Sequence, residues 1–325
     1  MLEHQLQQLE WPAWYCPDHD SPIDSNMRCE RGAHVIATQK GIPRFTSSGY
    51  AEHFGAQWNQ YRLTQLDSYT GFPITRTRLD RCLGEIRVAG KFVLECGCGA
   101  GRFTEILLDK GAFVTSVDLS SAVDANAESF PVSNVHRIAQ ADIRKLPFAP
   151  QQFDVVICLG VVQHTPSPEQ TIARLYDQVR PGGWLVIDHY APPPPSWHYG
   201  RTAPLLRLAM RRMSPRHTIR ITRWLTDALL PIHKGVADKR FLHSIVCRIS
   251  PLITLYDQYP QLPDKLLHEW TMLDTHDVLT DWFKHFRTVD QIRQLFVDLG
   301  GTDIWCEYGG NGVEARCRRP GCSGA

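Results

Sequence analysis

The segment Glu95–Gly101 reads Glu-Cys-Gly-Cys-Gly-Ala-Gly, with three glycines at alternate positions after a short apolar run. Glycines allow a sharp turn and bring bare backbone amides close to a ligand. Glu95 ends the apolar run, where its carboxylate disfavours a pyrophosphate and favours a cationic ligand. The third glycine also comes one residue too early for a dinucleotide-binding fingerprint. Gly97, Gly99 and Gly101 therefore predict a loop that holds a cationic cofactor rather than a nicotinamide dinucleotide.

Three further polar residues follow predicted strands. Asp118 comes after the second strand, where a carboxylate can accept hydrogen bonds from both hydroxyls of a ribose. Asp142 comes after the third strand and His164 after the fourth. Because ligands bind at the carboxyl ends of parallel strands, Asp118 and His164 are candidates for one site. Two structural alternatives stay open, namely Glu95 as a strand-end cap and Asp118 as the N-cap of a helix.

These residues need a parallel sheet to bring them together. Apolar runs and amphipathic segments alternate from Lys91 to Tyr190, which is the pattern of βαβ units. The pattern returns near the end of the chain, after a mostly helical interruption. The predicted elements are strands at Lys91–Cys96, Phe113–Val117, Phe153–Leu159, Trp184–Tyr190, Thr302–Tyr308 and Val313–Arg318, one more strand before Asp142, and helices at Arg102–Lys110 and Val289–Leu299. They predict an α/β protein with a Rossmann-like, doubly wound sheet of seven strands, an N-terminal ribbon-like segment and a helical cap insertion.

Five stretches together resemble the class I S-adenosylmethionine-dependent methyltransferases, especially their quinone-C-methylase-like branch of small-molecule enzymes. They are ECGCGAG, VDLS, ADIRKLPF, FDVVICLGVVQHTPSP and VRPGGWLVI. The resemblance implies S-adenosylmethionine as the cofactor. It assigns the loop Glu95–Gly101 to the methionine moiety, Asp118 to the ribose, Leu119 to the adenine face, Asp142 and the Ile143 amide to the exocyclic amine, and Leu159 and Gly160 to the surroundings of the sulfonium.

The resemblance also implies in-line methyl transfer to a small molecule, such as a sugar, a secondary metabolite or a lipid-linked intermediate. A general base is needed only if the acceptor must lose a proton. His164 is the catalytic candidate by position, and the alternative is a turn residue that hydrogen-bonds backbone. A ribosomal RNA methyltransferase is the second functional hypothesis. A binding protein that keeps the fold without the chemistry is the third.

The chain divides into five predicted segments. They are a zinc-ribbon-like segment at 1–48, a helical flank covering the cofactor at 49–90, the cofactor-binding core at 91–190, a helical cap for the acceptor at 191–285, and a terminal helix with strands at 286–325. The run Ala191–Ser196 contains four prolines and marks the start of the cap.

Two stretches outside the core are expected near the ligands. In the flank, Gln57, Trp58 or Arg62 is expected to face the pocket, although the helical spacing of Tyr50, Phe54 and Trp58 favours a buried docking stripe. In the cap, Leu273–Asp277 is expected to approach the substrate. Ordinary turn and capping roles are the alternative for Asp274, His276 and Asp277.

The cap is rich in basic residues. Between Arg201 and Arg248 there are eleven Lys or Arg residues against Asp227 and Asp238. This bias favours an anionic acceptor, such as a sugar nucleotide or an acidic lipid headgroup. The nearby apolar stretches LLRLAM and WLTDALLPI also allow shallow membrane contact. Solvated helix faces whose arginine stems cover apolar surface are the structural alternative.

The N-terminal segment has the outline of a zinc ribbon. Cys16 and His19 form one pair of metal-ligand type, and Cys29 and His34 form a second. The pattern resembles the ribbon that precedes some ribosomal RNA guanine methyltransferases, with a histidine in place of one cysteine. A zinc ion with these four ligands is structural, because no coordination position is left open. A decayed ribbon held by a small apolar core is the alternative, and no catalytic metal is predicted.

The composition narrows the classes of function. The 35 Lys and Arg residues balance 34 Asp and Glu residues, so whole-chain charge does not indicate DNA or RNA as a partner. No apolar run approaches the roughly 20 residues that span a bilayer. The N-terminus lacks the basic and apolar regions of a signal peptide, so we expect a cytoplasmic protein with reduced thiols. The oligomeric state is left open.

Overall fold

The structure is a computed structural model that describes residues 10–32, 34–193 and 202–321. Its strands are β1 (Tyr15–Cys16), β2 (Ser21–Pro22), β3 (Ala37–Gln39), β4 (Ile42–Arg44), β5 (Phe92–Cys96), β6 (Phe113–Asp118), β7 (His136–Gln140), β8 (Phe153–Cys158), β9 (Val179–His189), β10 (Thr302–Gly309) and β11 (Gly312–Arg318). Its α-helices are α1 (Glu52–Gln60), α2 (Asp67–Thr70), α3 (Ile74–Leu83), α4 (Arg102–Asp109), α5 (Ala122–Ser129), α6 (Pro168–Gln178), α7 (Ala203–Met210), α8 (Pro215–Val236), α9 (Arg240–Ile249), α10 (Asp264–Thr280) and α11 (Val289–Asp298).

The central sheet has the strand order β10-β11-β9-β8-β5-β6-β7-β4-β3. Strands β5 to β9 run parallel, and the terminal hairpin of β10 and β11 joins β9 antiparallel. The parallel part of the sheet begins with β5 at its centre. The chain continues outward through β6 and β7 and then crosses to β8 on the other side of β5. This reversal at β5 opens a crevice at the carboxyl ends of the strands, where ligands bind in such sheets.

The predicted doubly wound α/β fold is confirmed, and the sheet is larger than predicted. Seven strands form the predicted sheet. Two more, β3 and β4, come from the N-terminal segment, and β4 pairs in parallel with β7 at Arg44 and Gln140. Strand β4 carries a proline and is three residues long, so no apolar run marked it in the sequence.

The N-terminal segment is packed on the edge of the sheet. The ring of Trp14 stacks on Phe148 with centroids 5.1 Å apart. The guanidinium of Arg137, on β7, lies 4.1 Å from the Trp14 ring centroid and donates to the Pro12 carbonyl at 2.9 Å. These contacts, rather than the short β1–β2 pair alone, hold the segment in place.

Helices α7 to α10 form the cap between β9 and α11. Helix α10 packs against α8, α7 and α1, so the cap also contacts the flank. The proline-rich boundary at Ala191–Ser196 lies partly outside the described residues. After the cap, Thr288 and Gln291 form a capping box that starts α11 and returns the chain to the sheet.

Candidate active site

A cavity of about 1600 Å³ lies at the carboxyl ends of the parallel strands. Small-molecule sites commonly measure about 300–1,000 Å³, so this cavity has room for a cofactor and a second ligand. One part of its wall is the loop after β5 with the ends of β6 and β8. The flank, the cap and the β10–β11 turn supply the rest.

The glycine loop forms the floor of the cavity. Gly97 has φ +74°, and a Cβ there would lie 2.2 Å from Cγ2 of Val161. Gly97 and Gly99 line the cavity, with the indole of Trp58 about 3.5 Å from the position of a Gly99 Cβ. Gly101 has φ +100° and begins α4 without lining the cavity. The loop needs glycine for its backbone conformation and, at Gly97, for space.

Glu95 does not lie on the cavity wall. Its Oε2 accepts hydrogen bonds from the hydroxyls of Thr104 at 2.5 Å and Ser116 at 2.8 Å, beneath the loop. Its Oε1 is buried and has no partner among the described residues. Burial raises the pKa of Glu95 to about 7, although these hydroxyl groups lower it. The structure therefore does not bring this carboxylate into contact with a ligand in the cavity.

Asp118 lies on the wall and also fixes the loop. Its Oδ2 accepts the Gly99 amide at 2.9 Å, and its Oδ1 accepts the Ser120 amide at 2.8 Å and hydroxyl at 2.6 Å. Burial raises the pKa of Asp118, while these hydrogen bonds oppose the shift. Leu119 lines the cavity beside it.

Asp142 and Ile143 line the same part of the cavity. Both oxygens of Asp142 accept hydrogen bonds from the Arg144 guanidinium, with the shortest at 2.6 Å. The Arg144 guanidinium also lies 5.6 Å from the centroid of the Tyr50 ring. A ligand that hydrogen-bonds Asp142 must therefore share it with Arg144.

His164 ends the short 3-10 helix Val162–His164 that follows β8, and it lines the cavity together with Leu159 and Gly160. Its Nδ1 is 3.2 Å from the Phe283 carbonyl oxygen and 3.4 Å from Oδ2 of Asp281. Both neighbours are acceptors, so in the neutral ring Nδ1 carries the proton and Nε2 keeps its lone pair. The sequence did not indicate Asp281, because 117 residues separate it from the histidine.

Two arginines on the wall were missed by the sequence analysis. Arg78, on α3, forms an ion pair with the buried Asp188. Arg102, on α4, donates to Thr75 Oγ1 and Gln65 Oε1 at 3.0 Å each. Burial and the nearby Arg78 lower the pKa of Arg102 to about 10, so it keeps its charge at neutral pH. The position of Arg102 directly after the glycine loop was the one sequence feature that could have indicated its place in the site. Arg78 belongs to no recognisable motif.

Arg102 is a cation without a carboxylate at hydrogen-bond distance in the described structure. Its guanidinium lies 5.4 Å and 5.5 Å from the ring centroids of Phe103 and Trp270. Asp274, on α10, faces the same cavity, and burial raises its pKa to about 6. Arg102 can therefore pair with an anionic group beside an aromatic surface, although the carboxyl group of Asp274 lies on the same part of the wall.

The flank and the cap meet over the cavity. Tyr50, Phe54 and Trp58 line it and are only partly buried, so their interpretation as a buried docking stripe is wrong. Gln57 is fully buried and hydrogen-bonds both Asp277 and His276. Asp277 lines the cavity, whereas His276 is fully buried behind the cavity wall. Arg62 does not line the cavity and forms an ion pair with Glu128.

The four residues of the predicted ribbon form one group. The ligand atoms of Cys16, His19, Cys29 and His34 all lie within 4.8 Å of one another. Nδ1 of His19 is 3.4 Å from each sulfur. In a tetrahedral zinc site, bonds of about 2.3 Å to sulfur and 2.0 Å to nitrogen separate the two ligand atoms by about 3.5 Å. The donor set and its spacing fit zinc.

A second group of metal-ligand type, which no sequence motif marked, lies in the cap. It consists of His233, His243 and Cys247. Nε2 of His243 is 2.7 Å from the Tyr256 hydroxyl and 3.5 Å from the Cys247 sulfur. The group offers three ligand atoms, and hydrogen bonding already satisfies one of them.

Comparisons with known proteins show which part of the chain resembles a known family. A family model described as a methyltransferase domain matches residues 94–187. The ubiquinone biosynthesis O-methyltransferase of Pseudomonas entomophila is 37% identical over 105 residues, which are 31% of this chain and 45% of the relative. The corresponding protein of Pseudomonas fluorescens is 36% identical over the same shares. This chain thus spans less than half the length of these relatives.

Two solved structures are also similar to this chain. An S-adenosylmethionine-dependent methyltransferase from Mesorhizobium loti has 17% identity and a TM-score of 0.44, covering 78% of this chain and 99% of that one. Magnesium protoporphyrin IX methyltransferase from Synechocystis has 13% identity and a TM-score of 0.39, covering 75% and 80%. Residues 94–187, which carry the glycine loop and the parallel strands of the central sheet, thus match a methyltransferase domain.

Proposed function

We propose that this chain transfers the methyl group of S-adenosylmethionine to an anionic small molecule. The observation that carries the proposal is one shared cavity, whose wall contains the glycine loop with Arg102 and also side chains of the flank and the cap. A cavity shared in this way can hold both reactants in line. Orientation of that kind can supply roughly 7–11 kcal/mol in well-positioned systems.

The residues around the glycine loop fit the cofactor. Asp118 offers carboxylate oxygens for ribose hydroxyls, and Trp58 closes the space above Gly99. Leu119, Asp142 and Ile143 form the proposed adenine end, and Leu159 lines the path toward His164. When bound, S-adenosylmethionine supplies an activated methyl group on a sulfonium. The chain's own task is to bind, orient and keep water away from the reacting atoms.

Arg102 supports an acceptor that carries a carboxylate or a phosphate. Arg102 has no carboxylate at hydrogen-bond distance within the described chain, so an anionic ligand would satisfy its charge. Trp270 provides an apolar surface beside it. The relatives named above are ubiquinone biosynthesis enzymes, which favours a small molecule over the RNA alternative.

His164 is proposed as the general base. With its Nδ1 proton directed at the Phe283 carbonyl and Asp281, its Nε2 lone pair can accept a proton from the acceptor. Asp281 also pairs with Arg207 and is fully buried, so it can hold the histidine ring in one orientation. A general base is needed if the methyl-accepting atom of the acceptor is a hydroxyl oxygen, an amine nitrogen or an acidic carbon.

We further propose that Cys16, His19, Cys29 and His34 hold one structural zinc ion. Their donor atoms and spacing support this assignment. The site lies in the N-terminal segment that packs on the edge of the sheet, remote from the glycine loop along the chain, so its role is to hold that segment together.

Calorimetric titration with S-adenosylmethionine tests the proposed function, with NAD as the control ligand. We expect binding of S-adenosylmethionine alone, and a loss of about 1–3 kcal/mol in Asp118→Ala, the value of a charged hydrogen bond. Asp290→Ala, an exposed acid on α11, should bind normally. Failure of the folded protein to bind the cofactor, or full affinity in Asp118→Ala, would overturn the assignment. Screening of carboxylate- and phosphate-bearing acceptors then tests the acceptor class.

A further inference from the structure

The cap exposes an unusual amount of apolar surface. Nine of the sixteen most exposed large apolar side chains in the described part of the chain lie between 205 and 249. They include Phe241 at 78% exposure, Leu205 at 73% and Trp224 at 67%. Single exposed apolar side chains are normal, but a cluster of them on a soluble surface usually marks an interaction site. None of these three side chains lines the cavity, so ligand binding there would leave them exposed.

The exposed side chains of α9 form a stripe. Phe241, Ile245 and Ile249 are spaced by four residues and lie on one face of this helix, with Leu242 beside them. The opposite face is held in the protein, because Cys247 is buried. The stripe is therefore the outer face of a docked helix.

Helix α7 extends this apolar surface. The Thr202 hydroxyl, at the start of α7, donates to the Ile249 carbonyl at the end of α9 at 2.5 Å. Leu205 and Leu208 of α7 are both exposed close to this junction. We name the combined surface the cap face, defined by Leu205, Leu208, Phe241, Leu242, Ile245 and Ile249.

Exposed basic residues lie on the same helix as the apolar stripe and on the neighbouring helix α8. On α9, Arg240 and Arg248 flank the apolar stripe, and both are exposed. Seven exposed basic residues of the cap have no carboxylate partner in the described ranges: Arg212, Arg216, Arg220, Arg223, Lys239, Arg240 and Arg248. Four exposed acids of the cap oppose them: Asp227, Asp238, Asp257 and Asp264. An apolar face with a basic margin is the pattern of helices that lie in a membrane interface.

We propose that the cap face docks on an anionic membrane surface. Charge complementarity selects this occupant, because acidic lipid headgroups attract the basic margin while a second copy of the same face would repel it. None of the described helices is long and apolar enough to cross a bilayer, so the contact is interfacial. Helix α7 also lines the cavity through Pro204 and Arg207, so docking brings one wall of the cavity to the lipid surface.

Co-sedimentation of the full chain with lipid vesicles tests this proposal without cofactor or acceptor. We expect binding to vesicles that contain phosphatidylglycerol, roughly ten-fold weaker binding to pure phosphatidylcholine, and weakening at high salt. The variant Phe241→Glu/Ile245→Glu should lose roughly ten-fold or more in affinity. A matched control, Val132→Glu/Val297→Glu, adds the same charge at exposed apolar sites elsewhere and should bind normally.

A second variant, Arg240→Gln/Arg248→Gln, removes the charge and keeps the stripe. It should reduce the preference for phosphatidylglycerol, since two of the seven unpaired basic residues are removed. Equal binding by the two glutamate variants, or no binding of the unmodified chain, would contradict the proposal. A dimer in light scattering that Phe241→Glu/Ile245→Glu converts to monomer would instead assign the face to a second copy. Each variant is also titrated with S-adenosylmethionine, so a failure of the proposed function is detected separately.

Discussion

At the scale of single residues, Glu95 and Asp118 end neighbouring strands but have different surroundings. Asp118 reaches the cavity, whereas Glu95 turns under the loop to Thr104 and Ser116. The sequence could place both carboxylates at strand ends, because apolar runs mark the strands. It could not give the direction of the Glu95 side chain, which is set by hydroxyl groups on α4 and β6.

The buried Glu95 should make stability depend on pH. Its pKa is raised from 4.5 to about 7 in the folded chain, so the folded state holds more protons than the unfolded state between these values. Stability must therefore fall as pH rises through this window, by up to about 3 kcal/mol from this group, and Glu95→Gln should remove that part of the slope. Urea unfolding at several pH values checks this. Glu85→Gln, at an exposed acid, should keep the slope, and an unchanged slope in Glu95→Gln would refute the assignment.

His164 should act on turnover rather than on cofactor affinity. Removing a general base typically lowers the rate by about 10²–10⁴-fold, so His164→Gln should show such a loss once an acceptor is known. The affinity for S-adenosylmethionine should stay nearly unchanged, because the ring contacts Phe54 and Tyr190 rather than the glycine loop. His217→Gln, at an exposed histidine on α8, is the matched control. Turnover within a few-fold of the unmodified chain would leave His164 with a structural role only.

At the scale of elements, the sequence predicted what local patterns encode. The ends of β5, β6, β8 and β9 were found within one residue, since each strand ends in a short apolar run followed by a turn, whereas β9 begins at Val179, five residues before the predicted start. The pairing of β4 with β7 was missed, because a three-residue strand containing Pro43 leaves no periodic signal. Arg78 on the cavity wall and Asp281 behind His164 were missed for a related reason: contacts between distant elements depend on how the elements pack.

The turn after β5 should tolerate no side chain at Gly97. Gly97 and Gly111 have nearly equal φ values, +74° and +77°, so Ala costs similar backbone strain at both, about 1–2 kcal/mol. A Cβ at Gly97 would also lie 2.2 Å from Val161, whereas at Gly111 the nearest atom is 3.9 Å away. Gly97→Ala should therefore lower Tm more than Gly111→Ala does. Of the two variants, only Gly97→Ala should weaken cofactor binding. Thermal unfolding and calorimetry measure both effects, and equal losses would mean that the contact with Val161 is unimportant.

At the scale of the whole molecule, the N-terminal segment is connected to the cofactor site through the edge of the sheet. Arg44 of β4 donates to Gln140 of β7 at 3.2 Å, and Gln140 donates to the Leu119 carbonyl at 2.9 Å. Leu119 lines the cavity at the proposed adenine end. A loss of order in the N-terminal segment should therefore reach the cofactor site through Arg44 and Gln140.

Removal of the proposed zinc tests this connection. We expect about one zinc ion per chain by elemental analysis, in keeping with four ligands at one site, and its loss in Cys16→Ser and Cys29→Ser. Because zinc binding contributes directly to folding of small ribbons, chelation should lower Tm and weaken cofactor binding in parallel. Cys247→Ser, in the cap group of three, is the control and should retain the metal. A metal-free chain with an unchanged Tm in chelator would mean that the apolar contacts of Trp14 alone hold the segment on the sheet.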